Sequence, residues 1–266
     1  MLTPIKNRLI IVIIILSLFF PVARALHKAI NIDDYTALAI GMQIWNNENG
    51  GKISGLIAWN KGEKCASLGI GHFTWYPFPH GTWQDGFPQF LKYLATNNIA
   101  LPTWLNGDLA KYAIWQDRQE FLEVQSSPRM KELQQFMQNT IAMQARFMAH
   151  QLEIVLPKLL AKIPPYERPY VCEQFYKLAR MPAGLYAMID YLNFRGTGAI
   201  TNENHNMGLL QVLRDMRYAP KNATPLEAFI WSAKNAITRH LANAPDDTYE
   251  THWIVGWLKR VDRYAR

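Results

Sequence analysis

The chain predicts an α+β fold that is mainly helical, with a small β-hairpin lobe and a larger helical lobe. Two patterns carry that prediction. Only one stretch, Lys52 to Trp75, is rich in β-branched and aromatic residues, and Asn60-Lys61-Gly62 interrupts it as a hairpin turn would. Almost everything beyond it repeats apolar residues at three- and four-residue steps, the spacing of one helix face. With 49% of its 266 residues hydrophobic, the chain has ample material for a packed core.

The N-terminus carries Lys6 and Arg8, an apolar run from Leu9 to Phe20 broken only by Ser17, then Pro21 and Ala23-Arg24-Ala25. This is the layout of a secretory signal over residues 1–25, cleaved after Ala25. The alternative, a retained anchor, would need roughly 20 apolar residues to span a bilayer, and this run is shorter. The expectation is therefore a periplasmic or secreted domain over 26–266 that meets the membrane only during export. Removing the segment takes away three basic residues and no acidic one, so the net charge falls from +7 to +4. Such a mild excess suits an anionic matrix such as a cell wall. Without a basic stripe it does not point to nucleic acid. An oxidising compartment would permit one bridge between Cys65 and Cys172, but spacing does not decide whether they pair.

Asp33 and Asp34 offer capping oxygens for a first helix, in which Leu38, Met42 and Trp45 recur at helical spacing. It is expected to end near Glu48, inside Asn46-Asn47-Glu48-Asn49-Gly50-Gly51. The hairpin region follows, then a Pro- and Gly-rich loop from Tyr76 to Gly86 and short helices at Phe87 to Leu94 and Gln119 to Val124. Met130, Leu133, Met137, Ile141, Gln144, Met148, Leu152 and Val155 predict one long amphipathic helix from Pro128 to the Pro164-Pro165 stop. Further helices are expected at 169–179, 183–194, 207–216, 225–241 and 253–264. The 183–194 segment is apolar on most faces and belongs at the centre of the core.

Cleaving a glycosidic bond requires a carboxylic acid that holds its proton near neutral pH, usually with a second group acting from the other side. Glu48 is the candidate acid. It stands at a helix end beside a glycine pair, and burial against Trp45, Trp59 and Trp75 would raise its pKa. Downstream, Ser67-Leu68-Gly69-Ile70-Gly71-His72 is expected on the far strand of the hairpin.

Together these features resemble the phage-type lysozymes of the lysozyme-like superfamily. There a Glu closes the first helix and a hairpin carries a Thr-Ile-Gly-x-Gly-His strand. The resemblance implies a lysozyme-like fold, with a hairpin lobe at about 50–76, acting on the β-1,4 linkage of peptidoglycan glycan strands. It implies Glu48 as catalytic acid and Ser67 in the place of the Thr, with Gly69, Gly71 and His72 matching residue by residue. The glycines would let a sugar chain or the opposing Glu approach the backbone, and His72 would support Glu48 or the strand. Asp190-Tyr191-Leu192-Asn193-Phe194-Arg195-Gly196-Thr197-Gly198 is similar to the turn after the family's central helix, which makes Asn193 and Arg195 candidate support or substrate contacts. Trp253, Trp257, Arg260 and Arg263 loosely resemble its C-terminal segment. Trp59, Trp75 and Tyr76 flank the hairpin motif and are the best candidates for stacking on sugar faces.

One departure matters. The hydrolytic phage enzymes carry an Asp in the hairpin, and this hairpin has none. Glu63, four residues before Ser67, is its acidic candidate. If Glu63 does not serve, Glu48 alone would protonate the leaving group and then act as base toward the sugar's own hydroxyl, as in lytic transglycosylases, leaving an anhydro sugar. The rival from another class is a protein that binds or scaffolds peptidoglycan without cleaving it. Gly208-Leu209-Leu210-Gln211 resembles the Gly-Leu-Met-Gln run of lytic transglycosylases, but it lies far downstream of Glu48 and reads as a helix start. No cofactor or metal is implied. Gly69-Ile70-Gly71 lacks the third glycine of a dinucleotide loop, and no His-Glu-x-x-His, Walker, Gly-x-Ser-x-Gly or Cys-x-x-Cys motif occurs.

Overall fold

The computed structural model describes residues 29–79, 86–198, 207–242 and 253–265, apart from the side chains of 108 and 109. The expected signal segment lies outside the described residues. Ile32–Arg266 forms one compact unit. Its architecture is mainly helical with one small antiparallel sheet.

Helix α1 (Asp34–Asn49) starts where the Asp33 carboxylate accepts the Thr36 N–H at 2.7 Å. It stops at Gly50, whose left-handed backbone (φ 60°) turns its N–H back to the Asn46 carbonyl. Ala37, Gly41 and Ile44 form its buried stripe, and Glu48 is the next residue along it. Helix geometry thus delivers a carboxylate to the edge of the core.

The sheet has three strands, β1 (Ile57–Ala58), β2 (Ala66–Leu68) and β3 (Phe73–Trp75), in that spatial order. Ser67 sits opposite Ala58 on one side and Thr74 on the other. The β1–β2 connection closes at the expected place, with the Glu63 N–H donating to the Asn60 carbonyl. The motif after it differs from expectation. Residues 69–72 are not part of a strand but the tight turn between β2 and a third strand. Gly69 (φ 74°) and His72 (φ 49°) hold left-handed backbone that no strand accommodates.

The helical body comprises α2 (Gly86–Thr96), α3 (Arg118–Glu123), α4 (Pro128–Asn139), α5 (Ile141–Leu160), α6 (Arg168–Ala179), α7 (Pro182–Arg195), α8 (Leu209–Asp215), α9 (Pro225–Ala242) and α10 (Ile254–Asp262). The long helix expected after Pro128 is two helices, broken at Thr140. Side-chain competition for backbone groups explains the break. The Thr140 hydroxyl donates to the Phe136 carbonyl at 2.8 Å, and the Gln144 amide donates to the Met137 carbonyl at 2.6 Å and to Thr140 Oγ1 at 3.2 Å. The Thr140 backbone leaves the helical well (φ −103°, ψ 15°). An uninterrupted apolar period runs straight through this break, so periodicity alone does not show it.

The far end of Gln144 has a second task. Its Oε1 accepts the Ile70 N–H at 2.9 Å, with the side chain fully buried, so one residue pins the β2–β3 turn to α5. Helix α7 runs through the centre as expected, with every residue from Gly184 to Tyr191 buried. Cys65 and Cys172 are both buried and unbridged.

The turn gives a stability test. A Cβ on Gly69 would overlap Gln144 Oε1 and Met137 Cε, whereas a Cβ on Gly62, also left-handed (φ 89°), meets nothing within 4 Å. Gly69→Ala is expected to lose about 2–4 kcal/mol from combined backbone strain and overpacking, and Gly62→Ala only about 1–2 kcal/mol. Urea denaturation of the two variants measures the difference, and equal losses would contradict the role given to the turn.

Candidate active site

Glu48 meets two separate parts of the chain. Its Oε2 lies 3.4 Å from His72 Nε2, on the β2–β3 turn. Its Oε1 takes a short hydrogen bond from Arg260 Nη2, on α10. The same guanidinium grips Asp190 of α7 in a two-pronged pair, with Nε to Oδ2 and Nη2 to Oδ1 both at 2.8 Å. Tyr264, one turn beyond Arg260, donates its hydroxyl to Asp190 Oδ2 at 2.5 Å. The Tyr264 ring stands edge-on to Tyr186, whose hydroxyl accepts from the amide of Asn47, the residue before Glu48. The end of α1, the middle of α7 and the last helix are thereby joined by one polar network inside an apolar core.

The charges decide which form Glu48 takes. Burial pushes its carboxyl toward the neutral acid and is the largest single influence. The His72 hydrogen bond and the Arg260 charge and hydrogen bond act the other way and together win, so the pKa lies below the ordinary glutamate value. This corrects the expectation of a raised pKa. The indoles expected to surround Glu48 send their N–H groups elsewhere: Trp45 to the Lys52 carbonyl, Trp59 to Glu63 and Trp75 to Ala110. Burial also raises the Tyr186 and Tyr264 hydroxyls well above the usual tyrosine range, so both remain neutral.

The other expected residues divide into three groups. Gly71, His72 and Asn193 lie with Glu48 or along a groove. Asn193 is exposed on the last turn of α7. Ser67 is buried in the middle strand, with its neighbours Ala66 and Leu68 also buried. Gly69 serves the fold, since the group its missing Cβ admits is Gln144 rather than a sugar.

A third group makes no hydrogen bond or ion pair with Glu48. Glu63 is exposed at the tip of the β1–β2 hairpin, where its carboxylate accepts from the Asn60 amide at 3.1 Å. Trp59 is buried against Phe121, and Trp75 is fully enclosed between Phe87 and Trp115, so neither offers a face to a sugar. Both are large rings on short strands, and the core takes them first. Tyr76 is half-buried, and its carbonyl accepts the Ala113 N–H at 2.7 Å. The Arg195 guanidinium lies 3.4 Å from the centroid of Trp257 and 4.0 Å from that of Phe194, stacked between rings.

A groove of about 250 Å³ is lined among others by Gly71, Phe73, Met148, Gln151, Ile189 and Asn193. Glu48, His72, Asp190 and Arg260 do not themselves line it, but Gly71 and Ile189 immediately precede His72 and Asp190 in the chain. Aromatic and thioether walls with side-chain amides among them are the kind of lining that takes a carbohydrate ring. Among the described residues no group of three or more His, Cys, Asp or Glu side chains is placed to hold a metal.

Two members of the network, Asp190 and Arg260, were absent from the expected site. A signal for one was present in the sequence. Asp190 is the lone acid in an otherwise nearly apolar helix, and a carboxylate buried there demands a cation. Nothing in the local pattern of α10 says that Arg260 is that cation.

The lowered Glu48 pKa fixes the sign of a pH effect. A carboxyl with a depressed folded-state value contributes stability that is complete above its unfolded value, near 4.5, and is lost as pH falls through the folded value. Chemical-denaturation stability of the wild type is therefore expected to decline below pH 4.5, and Glu48→Gln should show a shallower decline. Some slope must remain, because Glu167 is lowered by Arg214 as well. Identical slopes in the two proteins would contradict the ion pairing.

Comparison with known protein families, with curated proteins and with solved structures finds no match to this chain.

Proposed function

We propose that this protein is exported on its N-terminal segment and cleaves the β-1,4 glycan backbone of peptidoglycan, with Glu48 as the group that handles the proton. The observation that carries the reading is a largely buried carboxylate at a helix end, facing the His72 turn, with a groove of about 250 Å³ lined by the residues that immediately precede His72 and Asp190. The chain order also supports a lysozyme-like fold: a helix ending in Glu, a small sheet with a Gly-x-Gly-His turn, then a buried central helix.

On this reading the resting Glu48 is an anion held by Arg260 and His72. A glycan strand seated in the groove removes water from the carboxyl and strengthens the burial that already acts most on it, which draws a proton onto it. Glu48 then donates to the glycosidic oxygen as the C1–O bond breaks. Glu63 stays with Asn60 at the hairpin tip, so a route with a single carboxylate fits better than one with two. The C6 hydroxyl of the same sugar that carries C1 attacks that carbon, and its proton passes to Glu48, leaving a 1,6-anhydro end on one fragment and a free hydroxyl on the departing one.

A second reading is favoured by one observation. The Arg260 pair keeps Glu48 ionised in the free protein, as suits a protein that binds glycan strands without cleaving them.

Incubating the protein, freed of its first 25 residues, with purified sacculi separates the readings. Mass analysis is expected to show anhydro-ended muropeptides, with release at least about 100-fold slower for Glu48→Gln. Reducing ends would point to hydrolysis. Sacculus binding without release would favour the second reading, and no binding at all would sink both.

A further inference from the structure

A second polar pocket, of about 390 Å³, lies on the helical body among the turn before α6, the helix α8 with the 3-10 turn that follows it, and α9. It shares no residue with the Glu48 cluster or with the groove. Two buried carboxylates frame it. Glu167 receives Arg214 at 2.8 and 3.1 Å and Arg217 at 3.2 Å. Asp215 receives Arg239 at 2.6 Å and the Gln211 amide nitrogen at 2.8 Å. These acids are already engaged, so they are walls rather than free acceptors.

Two residues that line the pocket have unspent hydrogen-bonding capacity. Arg217 donates from Nε to the Arg214 carbonyl and from Nη2 to Glu167, and its plane lies over the Tyr170 ring. Its Nη1 has no protein partner among the described residues, and the side chain is 33% exposed. Gln211 is 5% exposed, and its nitrogen is committed to Asp215, which fixes the orientation of the amide. That leaves Gln211 Oε1 as a buried acceptor with no donor. A buried acceptor left unmet in this way is unfavourable wherever it occurs, so a pocket that keeps one is shaped for a group that brings a donor. The rings of Tyr166 and Tyr218, largely exposed, stand at the rim.

We infer that this pocket binds an α-amino carboxylate, as found at the C-terminus of a peptide or in a free amino acid. The carboxylate pairs with Arg217 and the neighbouring N–H donates to Gln211 Oε1. The two requirements lie adjacent in that ligand class, since the terminal carboxylate and the N–H belong to one residue. A bare anion would satisfy Arg217 and leave Gln211 unmet. The volume fits a small ligand of this kind. The inference stands independently of what Glu48 does.

The test titrates the full chain with N-acetyl-alanyl-alanine, its C-terminal amide, free alanine, acetate and inorganic phosphate, followed by calorimetry. Saturable binding of the dipeptide acid is expected, with the amide and acetate each weaker by about tenfold or more. Gln211→Met and Arg217→Gln should each weaken the acid about tenfold. Free alanine binding as tightly as the dipeptide would assign the site to free amino acids within the same class. The inference is overturned if nothing saturates by about 10 mM, if the amide binds as well as the acid, or if phosphate or acetate binds as tightly as the dipeptide. The acid-against-amide comparison needs no variant, so it decides even where a substitution prevents folding.

Discussion

One guanidinium, that of Arg260, holds the site together. It is mostly buried, and it reaches Asp190 with two hydrogen bonds and Glu48 with a third. Bringing three charged groups out of water is unfavourable unless each finds a partner, and here each does. The Asp190 side chain is fully buried, so without Arg260 it would be an unpaired anion in the core, a defect of about 3–5 kcal/mol. Burial of that acid obliges the last helix to dock against α7. Once docked, the same helix places a positive charge on Glu48. Fold and site chemistry therefore rest on a single interaction.

The other side of Glu48 depends on a chain of contacts that starts in a helix break. Thr140 interrupts what would be one long helix, and Gln144 bridges the break and reaches the β2–β3 turn. The glycine at position 69 is what lets Gln144 come so close. The turn then carries His72 in a left-handed conformation toward the Glu48 carboxylate. A glycine that reads as room for substrate in the sequence is room for a glutamine in the structure. It acts on the site only at one remove, by fixing where His72 stands.

Much of the architecture was legible because it is written in local periodicity. The cap at Asp33, the end of α1 at Glu48, the hairpin turn at Asn60-Lys61-Gly62 and the buried α7 all follow from short-range patterns. The break at Thr140 was not legible, since the apolar spacing continues through it and only side-chain hydrogen bonds interrupt the helix. The site divides along the same line. Glu48 and His72 stand within one short stretch and are found together. Arg260 is 212 residues from Glu48, and no local rule connects them. The tryptophans were placed at the site because indoles stack on sugars, yet the small sheet needs Trp59 and Trp75 for its own core. The sign of the Glu48 shift followed from those misplaced rings, since burial without Arg260 points upward and burial with it points down.

The claim on which all of this turns is that Arg260 and His72 keep Glu48 ionised in the free protein. Site-resolved titration of the Glu48 carboxyl by carbon-13 NMR, in the wild type and in Arg260→Met, tests it directly. The wild-type carboxyl should titrate below 4.5, and removal of the guanidinium should move its midpoint up, because burial then acts with only His72 opposing it. A wild-type midpoint above 4.5, or one that Arg260→Met leaves unchanged, would contradict the account.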